Sequence, residues 1–206
     1  MPTQQPGDDA RSALGFLSVT ETAALATQGV LVPSPHAVLV SPGARLAPGV
    51  VLWPGVIVSV DAGSRIDIQA GTQLHAGTRL AATGGGIVEI GEGAEIGEEG
   101  GFTIKAEAGH AIRIGCGARL LGGGAMTFSN EIGDGAQVLG PIRMQNCSLA
   151  GGGSWREPDP DVRGAVLKGS GVARGITLER GDVIQAFGLF ALEPVRRQVE
   201  FHPKPL

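Results

Sequence analysis

Small aliphatic residues recur at every sixth position along most of this chain. The pattern is sharpest in three segments that begin at Ile90, Ile114 and Ile132, each with the order Ile, Gly, any residue, Gly, Ala, any residue, aliphatic. Looser copies begin at Val40, Leu46, Ile68 and Leu74. An amphipathic helix would need apolar spacings of three and four, and a half-buried strand would need a period of two. A sustained period of six therefore predicts a parallel β-helix built from hexapeptide units.

Each six-residue unit is interpreted as a short strand followed by a corner. The aliphatic residue points inward, a glycine or small residue lets the chain turn, and three units close a triangular coil of about eighteen residues. Stacked coils then lie about 4.8 Å apart, the usual distance between paired strands. The longest uninterrupted run extends from Ile90 to Met144 in steps of six, and it places Ala108 among the inward residues.

Breaks in the pattern divide the single predicted domain into three parts. Residues 1–35 are interpreted as an N-terminal arm and a short capping helix, with Thr20 as the helix cap. Residues 36–190 form the predicted all-β core, a single-stranded parallel β-helix with a loop excursion at 151–165, where Gly, Pro and charged residues accumulate. Residues 191–206 are expected to form an extended C-terminal arm. An open solenoid needs caps, and the two flanking segments are the candidates.

The composition agrees with a glycine-rich β fold and disfavours several classes of function. The chain has 206 residues, 35 of them glycine, and a formal net charge of −4 without any run of lysine or arginine. Nucleic acid and membranes are therefore not expected as partners. No apolar stretch is long enough to span a bilayer, and the N-terminus lacks the pattern of a signal peptide. The two cysteines, Cys116 and Cys147, lie far apart in sequence and form no CxxC motif. Without an export signal we expect a cytoplasmic protein in which both thiols are reduced and buried.

The hexads of residues 36–190 resemble those of the left-handed β-helix, or hexapeptide-repeat, superfamily. The resemblance implies left-handed coiling, whereas the general rule for parallel crossovers would predict the right hand. It also implies a homotrimer with sites in the clefts between protomers. Many members are acyltransferases that move an acyl group from acyl-CoA or a carrier protein to a hydroxyl or amine of a small-molecule substrate. Others are γ-class carbonic anhydrases or have no known catalysis.

Two histidines are candidates for the general base that such an acyltransferase needs to take a proton from the attacking group. His110 lies two positions after Ala108 and is expected on or near the outer surface, close to a corner. His75 directly follows the inward Leu74, so its side chain is expected to point outward. They are 35 residues apart, nearly two coils, and they either meet on neighbouring coils or face each other across a subunit interface. An ordinary surface role is the alternative for each. His36 and His202, in the predicted cap and tail, are not expected to be catalytic.

A zinc site of the γ-carbonic anhydrase type is not expected. The resemblance implies that such a site needs three histidines, two from one protomer and one from its neighbour, and a catalytic zinc needs three protein ligands with one open position. The chain has four histidines in all and lacks the family's close pair. We therefore expect no metal.

The loop excursion supplies the candidate residues for cofactor binding. Trp155 can stack on the adenine of acyl-CoA or cover the acceptor, and Arg156 can contact a phosphate. The alternative is that Trp155 anchors the loop on the surface of the coil. Long loops on rigid scaffolds often carry binding residues, so both interpretations stay open.

Two functions remain open from the sequence. The first is a trimeric acyltransferase with acyl-CoA as co-substrate and His110 as base. The second is a non-catalytic β-helix that binds a partner or assembles, motivated by the few histidines and by a C-terminal arm that can clasp a neighbouring protomer. A zinc enzyme is a weaker third option.

Overall fold

A three-sided parallel β-helix makes up most of the structure. The computed structural model describes residues 7–202. Within them the strand pairs are parallel except for one pair near the C-terminus. The mostly parallel strands repeat in the arrangement typical of a left-handed β-helix, which confirms the parallel β-helix that the hexads predicted and the hand that the resemblance implied.

Two short helices precede the strands, α1 (Asp8–Ala13) and α2 (Val19–Ala24). Single 3₁₀ turns cover Leu25–Gln28, Pro35–Ala37, Pro160–Val162, Phe190–Leu192 and Gln198–Glu200. The strands in chain order are β1 (Leu39–Val40), β2 (Arg45–Leu46), β3 (Val51–Leu52), β4 (Ile57–Val60), β5 (Arg65–Ile68), β6 (Gln73–Leu74), β7 (Arg79–Thr83), β8 (Ile87–Ile90), β9 (Glu95–Ile96), β10 (Thr103–Glu107), β11 (Ala111–Ile114), β12 (Arg119–Leu121), β13 (Ala125–Thr127), β14 (Asn130–Ile132), β15 (Gln137–Leu139), β16 (Ile142–Gln145), β17 (Ser148–Leu149), β18 (Val166–Arg174), β19 (Thr177–Leu178), β20 (Asp182–Leu189) and β21 (Arg196–Arg197).

Three stacks of strands form the faces of a prism. The first face holds β1, β4, β7, β10, β13 and β16, the second β2, β5, β8, β11, β14, β17 and β19, and the third β3, β6, β9, β12 and β15. The long strands β18 and β20 belong to both the third and the first face, because each runs past the edge between them without a break. The first corner joins the first and second faces, the second corner joins the second and third, and the third corner joins the third and first.

Columns of aliphatic side chains fill the inside of the prism. The column of the third face consists of Leu52, Leu74, Ile96, Leu120 and Val138, all fully buried. Burying one such side chain contributes about 1.5–3 kcal/mol. The repeated inward residue of the hexad is therefore the main source of the fold's stability.

Ala108 is exposed, so the prediction that it points inward was wrong. The inward residues of that first-face strand are Ile104 and Ala106, and Ile104 stacks on Met126. Eight positions separate Ile96 from Ile104, and ten separate Ile104 from Ile114. The two steps add up to eighteen positions, the length of three hexads. Ile114 is therefore back in phase with Ile96, and the sequence pattern does not reveal the shift at Ile104.

Coil length is less regular than the predicted eighteen residues. Leu120 pairs with Val138, eighteen positions later, whereas Ile96 pairs with Leu120 after twenty-four positions and Val138 with Leu167 after twenty-nine. The strands keep their register because most of the additional residues lie in the corners. The twenty-nine-residue coil contains the loop excursion.

The three sharpest hexads all pass the second corner on successive coils. Gly93, Gly117 and Gly135 have φ of 64°, 61° and 64°, a left-handed conformation that glycine adopts without steric cost. The alanine that follows each of these glycines is fully buried. The nearly identical hexads therefore reflect one tight corner, repeated in three coils.

The N-terminal segment covers the first coil. α1 lies within the predicted N-terminal arm, and residues 1–6 lie outside the described part of the chain. Arg11 of α1 donates a hydrogen bond to the carbonyl oxygen of His36 at 2.6 Å, which ties the helix to the start of the β-helix. α2 begins at a capping box in which Ser18, rather than the expected Thr20, is the cap.

The chain after β20 closes the last coil. Phe190 is fully buried, and its 3₁₀ turn packs against β18 and β20. The chain then returns as β21, which pairs antiparallel with Asp182 and Val183. The predicted C-terminal arm thus folds back on its own coil up to His202, and positions 203–206 lie outside the described residues.

Candidate functional site

The backbone at the first corner passes through the left-handed region in successive coils, and five of these residues have similar φ values. Gly84, Ala108, Phe128, Asn146 and Gly175 have φ between 49° and 63°. Glycine adopts this conformation freely, whereas for other residues it costs roughly 1–2 kcal/mol. Phe128 is also 44% exposed, so burial of its ring does not compensate fully. Because backbone strain concentrates at functional sites, the surroundings of Phe128 are a candidate.

His110 lies at this corner, beside two residues of the following coil. Its Nδ1 is 3.1 Å from the hydroxyl oxygen of Ser129, and its ring meets the Phe128 ring edge-on with centroids 5.2 Å apart. Ser129 also accepts a hydrogen bond from the backbone N–H of Ala111 at 3.4 Å. Nε2 of His110 has no hydrogen-bond partner within residues 7–202. The imidazole is thus held at one nitrogen and available at the other, as a general base requires.

His75 lies at a different edge of the prism, the third corner. Its ring is stacked on Trp53 of the preceding coil, with an angle of 7° between the planes and centroids 6.2 Å apart. Its backbone N–H donates to the carbonyl of Ile96 in the next coil. The structure therefore does not bring His75 and His110 together within one chain.

The loop excursion leaves the second corner and is anchored on the third face. The guanidinium of Arg119 lies 4.9 Å from the centroid of the Trp155 ring, and that of Arg156 lies 4.7 Å from it. Arg119 projects from β12 and contacts Glu95 at 2.9 Å. A cation–π contact at an exposed site contributes about 0.5–1 kcal/mol. Trp155 therefore holds the loop on the coil, while 41% of its surface stays exposed.

A cleft of about 300 Å³ lies between this loop, the third face and the C-terminal segment. The lining residues that carry a ring or a charge are Arg119, Trp155, Arg163, Lys168, Phe201 and His202. Aromatic rings beside several cations suit a ligand that combines a flat ring with negative charge. Arg156 contacts Trp155 but is not among the residues that line this cleft.

Sequence reasoning missed most of this cleft. It identified Trp155 but not Lys168 or Phe201, and it set His202 aside as a tail residue. The one available signal was position within a hexad, because Arg119 precedes an inward leucine and therefore points outward. That signal shows the face on which a residue lies but not which distant segment covers it.

Phe201 and His202 reach the cleft because Arg197 ties the tail to two other segments. Its guanidinium donates to the carboxylate of Asp182 at 2.7 Å and to the carbonyl oxygen of Asp161 at 3.1 Å. The hydrogen bond to the Asp182 carboxylate foremost, and then the negative charges of Asp161 and Asp182, raise the pKa of Arg197 above its usual value. The loop, the last coil and the tail are thus joined at one guanidinium.

The second face carries many charges, but they are paired with one another. Arg113 contacts Glu89 at 2.9 Å and Glu131 at 3.7 Å, and Arg65 contacts Glu89 and Asp67. Exposed ion pairs of this kind stabilise a fold by about 0–1 kcal/mol. Because the opposite charges neutralise each other, we assign no ligand site to this face.

Within residues 7–202, no group of three or more His, Cys, Asp or Glu side chains is placed to hold a metal ion. Across the same residues, no helix has both the length and the apolar character needed to cross a bilayer.

Comparison with known proteins finds similarity only among solved structures. No family model matches the chain, and neither does any of the curated proteins. A histidine-to-asparagine variant of perosamine N-acetyltransferase from Caulobacter crescentus, in complex with CoA and GDP-perosamine, is 17% identical with a TM-score of 0.23. PerB from Caulobacter crescentus, with the same two ligands, is 16% identical with a TM-score of 0.22. Each match covers 92% of this chain and 66% of the other, just under two thirds.

Proposed function

We propose that this protein transfers an acyl group from an acyl-CoA thioester to a hydroxyl or amine of a small acceptor. The observation that best supports this is the cleft on the third face, with the ring of Trp155 beside the cations of Lys168 and Arg163. CoA combines an adenine ring with phosphates and so matches both features. The hexapeptide resemblance supports the class of reaction.

In this proposal His110 is the general base. If Nδ1–H donates to Ser129, the lone pair of Nε2 is left to accept the proton of the acceptor. The acceptor oxygen or nitrogen forms a bond to the thioester carbon as its proton moves to Nε2. The carbon–sulfur bond then breaks, and the same proton passes from His110 to the departing thiolate.

The proposed base and the proposed donor cleft need two protomers. His110 lies at the first corner, and in a three-sided prism that corner is opposite the third face. A single chain therefore cannot apply His110 to a ligand in its own cleft. The proposal includes the homotrimer that the resemblance implies, with the first corner of one protomer beside the third face of the next. It also places the enzyme in the cytoplasm, in line with its two free cysteines.

The remaining candidates have subordinate roles in this scheme. Trp155 is proposed to stack on the adenine, and the exposed Arg156 beside it to contact a phosphate. His75 stays the second candidate for the base, although its ring is already stacked on Trp53.

Calorimetry with CoA tests the cleft. Trp155→Ala should weaken binding about tenfold, because stacking of a base on an aromatic ring is worth roughly 1–3 kcal/mol. Lys168→Ala should weaken it as well. Lys105→Ala, on the first face, is the matched control and should leave the affinity unchanged. If the wild-type protein does not bind CoA, the proposed donor is wrong.

Transfer assays with acetyl-CoA and a panel of amines and alcohols test the reaction. His110→Ala should lower kcat by about 10²- to 10⁴-fold, the usual contribution of a general base. His36→Ala is the control and should have no effect. If His75→Ala lowers kcat instead, the base lies at the third corner. If His202→Ala lowers kcat, the base lies in the cleft itself. Absence of transfer to every acceptor, together with absence of CoA binding, would reject the proposal.

A binding protein without catalysis is the second candidate. It is favoured by the fact that one chain supplies every wall of the cleft, including its own C-terminal segment. Binding of CoA without transfer to any acceptor, and with no effect of His110→Ala, would support this candidate over the enzyme.

A further inference from the structure

The last strand, β20, has one edge that is largely unpaired. On one side Val166–Val172 of β18 pairs with Val183–Leu189. On the other side β21 pairs only with Asp182 and Val183. Within residues 7–202 no strand covers the second edge from Ile184 to Leu189.

The direction of the free backbone groups follows from the earlier coils. The N–H of outward Leu31 donates to Val50 in the next coil at 2.8 Å, and its carbonyl accepts from Leu52 of that coil at 2.9 Å. Outward residues thus direct both backbone groups toward the following coil. In β20 the outward residues beyond β21 are Gln185, Phe187 and Leu189. Their N–H and C=O groups therefore point beyond the end of the prism.

The chemistry of this edge is unusual for an unpaired strand. The stretch Ile184–Leu192 contains no charged residue and no proline. Phe187 is 80% exposed, Leu189 57% and Leu192 79%. Natural proteins usually protect such edges with lysine, proline, bulges or a covering segment, because an open apolar edge recruits another strand. The exposed part of β20 has none of these protections.

We propose that this edge pairs with the same edge of a second copy of the chain, antiparallel and centred on Phe187. β21 limits the free edge on one side, and the 3₁₀ turn at Phe190 limits it on the other. A two-fold axis through Phe187 places Gln185 opposite Leu189 of the partner subunit. In this register each of the three outward residues lies opposite an outward residue of the second copy. Every free N–H between Gln185 and Leu189 therefore faces a free C=O.

An identical copy fits this edge better than a partner of another chemistry. A charged partner would find no opposite charge between Ile184 and Leu192. The two-fold arrangement buries the exposed rings of Phe187 against each other and forms the paired backbone hydrogen bonds. The pairing is independent of acyl transfer and of the number of protomers around any ring.

Sedimentation velocity over a range of protein concentrations tests the pairing. The wild-type protein should have twice the mass of Phe187→Asp, which places like charges at the two-fold axis. Gln185→Pro, which removes an outward N–H, should give the same halved mass. Leu14→Asp is the control, since Leu14 is 73% exposed at the other end of the chain. Equal masses for the wild-type protein and Phe187→Asp, or a halved mass for the control, would overturn the proposal.

Amide hydrogen exchange provides a second measurement, with thermal melting confirming that the variants are folded. The amides of Gln185, Phe187 and Leu189 should exchange at least tenfold more slowly in the wild-type protein than in Phe187→Asp. The amide of the buried Leu120 should be equally protected in both. Slow exchange of the three amides without a doubled mass would show that another segment covers the edge, and would also overturn the proposal.

Discussion

The imidazole Nδ1 of His110 lies 3.1 Å from the hydroxyl oxygen of Ser129, which is on the following coil of the β-helix. Nineteen residues separate them in sequence, and the stacking of the coils brings them together. A neutral imidazole has one donor and one acceptor nitrogen, and the partner of one nitrogen determines the role of the other. This contact is therefore the feature that can make His110 a base at Nε2.

Replacing Ser129 by Ala should change the tautomer of His110. In the wild-type protein we expect the proton on Nδ1, and in Ser129→Ala a shift toward the Nε2–H form, measured by nitrogen NMR. If His110 is the base, kcat should fall about tenfold while KM stays unchanged. This decrease is smaller than the ~10²- to 10⁴-fold rate contribution of an intact general base, because the imidazole itself is still present. Ser148→Ala, on the second face, should change neither. An unaltered tautomer in Ser129→Ala would show that the hydroxyl does not orient the ring.

Replacing Ala108 by Gly should stabilise the protein. Ala108 is exposed and has φ of 49°, a conformation that costs a non-glycine residue roughly 1–2 kcal/mol. Glycine removes that cost but loses about 0.4–1 kcal/mol through greater freedom of the unfolded chain. The net gain should be about 0.5–1 kcal/mol in urea unfolding. Ala111→Gly, at an extended position nearby, is the control and should destabilise the protein. A lower free energy of unfolding in both variants would contradict the strain at Ala108.

Two glycines of the second corner should respond very differently to alanine. A Cβ on Gly133 would overlap the backbone of Gly151 in the next coil, whereas a Cβ on Gly93 would meet no atom within 4 Å. Gly133→Ala should cost about 3 kcal/mol through overpacking. Gly93→Ala should cost only about 1–2 kcal/mol through its positive φ. Melting temperatures of the two variants check this difference, and equal losses would refute the close approach of the coils.

The two cysteines should differ in reactivity. Cys116 is exposed, so the expectation that both thiols are buried was wrong for this residue. Burial raises the pKa of the Cys147 thiol, whose Sγ is 3.4 Å from the carbonyl oxygen of Ala173. A thiol reagent at about pH 8, near the ordinary cysteine pKa, should modify one thiol per native chain. The second should react only after unfolding. Cys116→Ala should abolish the reaction of the native protein.

The raised pKa of Cys147 also predicts a dependence of stability on pH. As pH rises through the ordinary thiol pKa of about 8.5, the unfolded chain loses this proton first while the native chain retains it. The native state then binds more protons, so stability should fall with increasing pH above that value. Urea unfolding of Cys147→Ala should not show this decrease in stability at high pH, whereas Cys116→Ala should still show it. A pH profile that does not differ between the two variants would argue against the shift.

Particular residues show how far sequence reasoning reached. The inward column of Leu74, Ile96 and Leu120 was predicted correctly, because a buried aliphatic residue is needed once in every hexad. Ala108 was misplaced because two unequal steps add up to the length of three equal ones. The contact of Trp155 with Arg119 agrees with the alternative that this ring anchors the loop, and its role toward CoA stays a prediction.

By itself the sequence determined the period, the inward residues of most strands and the tight second corner, since each depends on side chains within about six positions. Only the tertiary structure decided that His110 meets Ser129, that His75 lies at another corner, and that His202 joins Trp155 at one cleft. Coils of seventeen to twenty-nine residues stack through backbone hydrogen bonds, so the length of each corner determines which outward side chains become neighbours. That length is set by contacts between successive coils, and no local pattern records them.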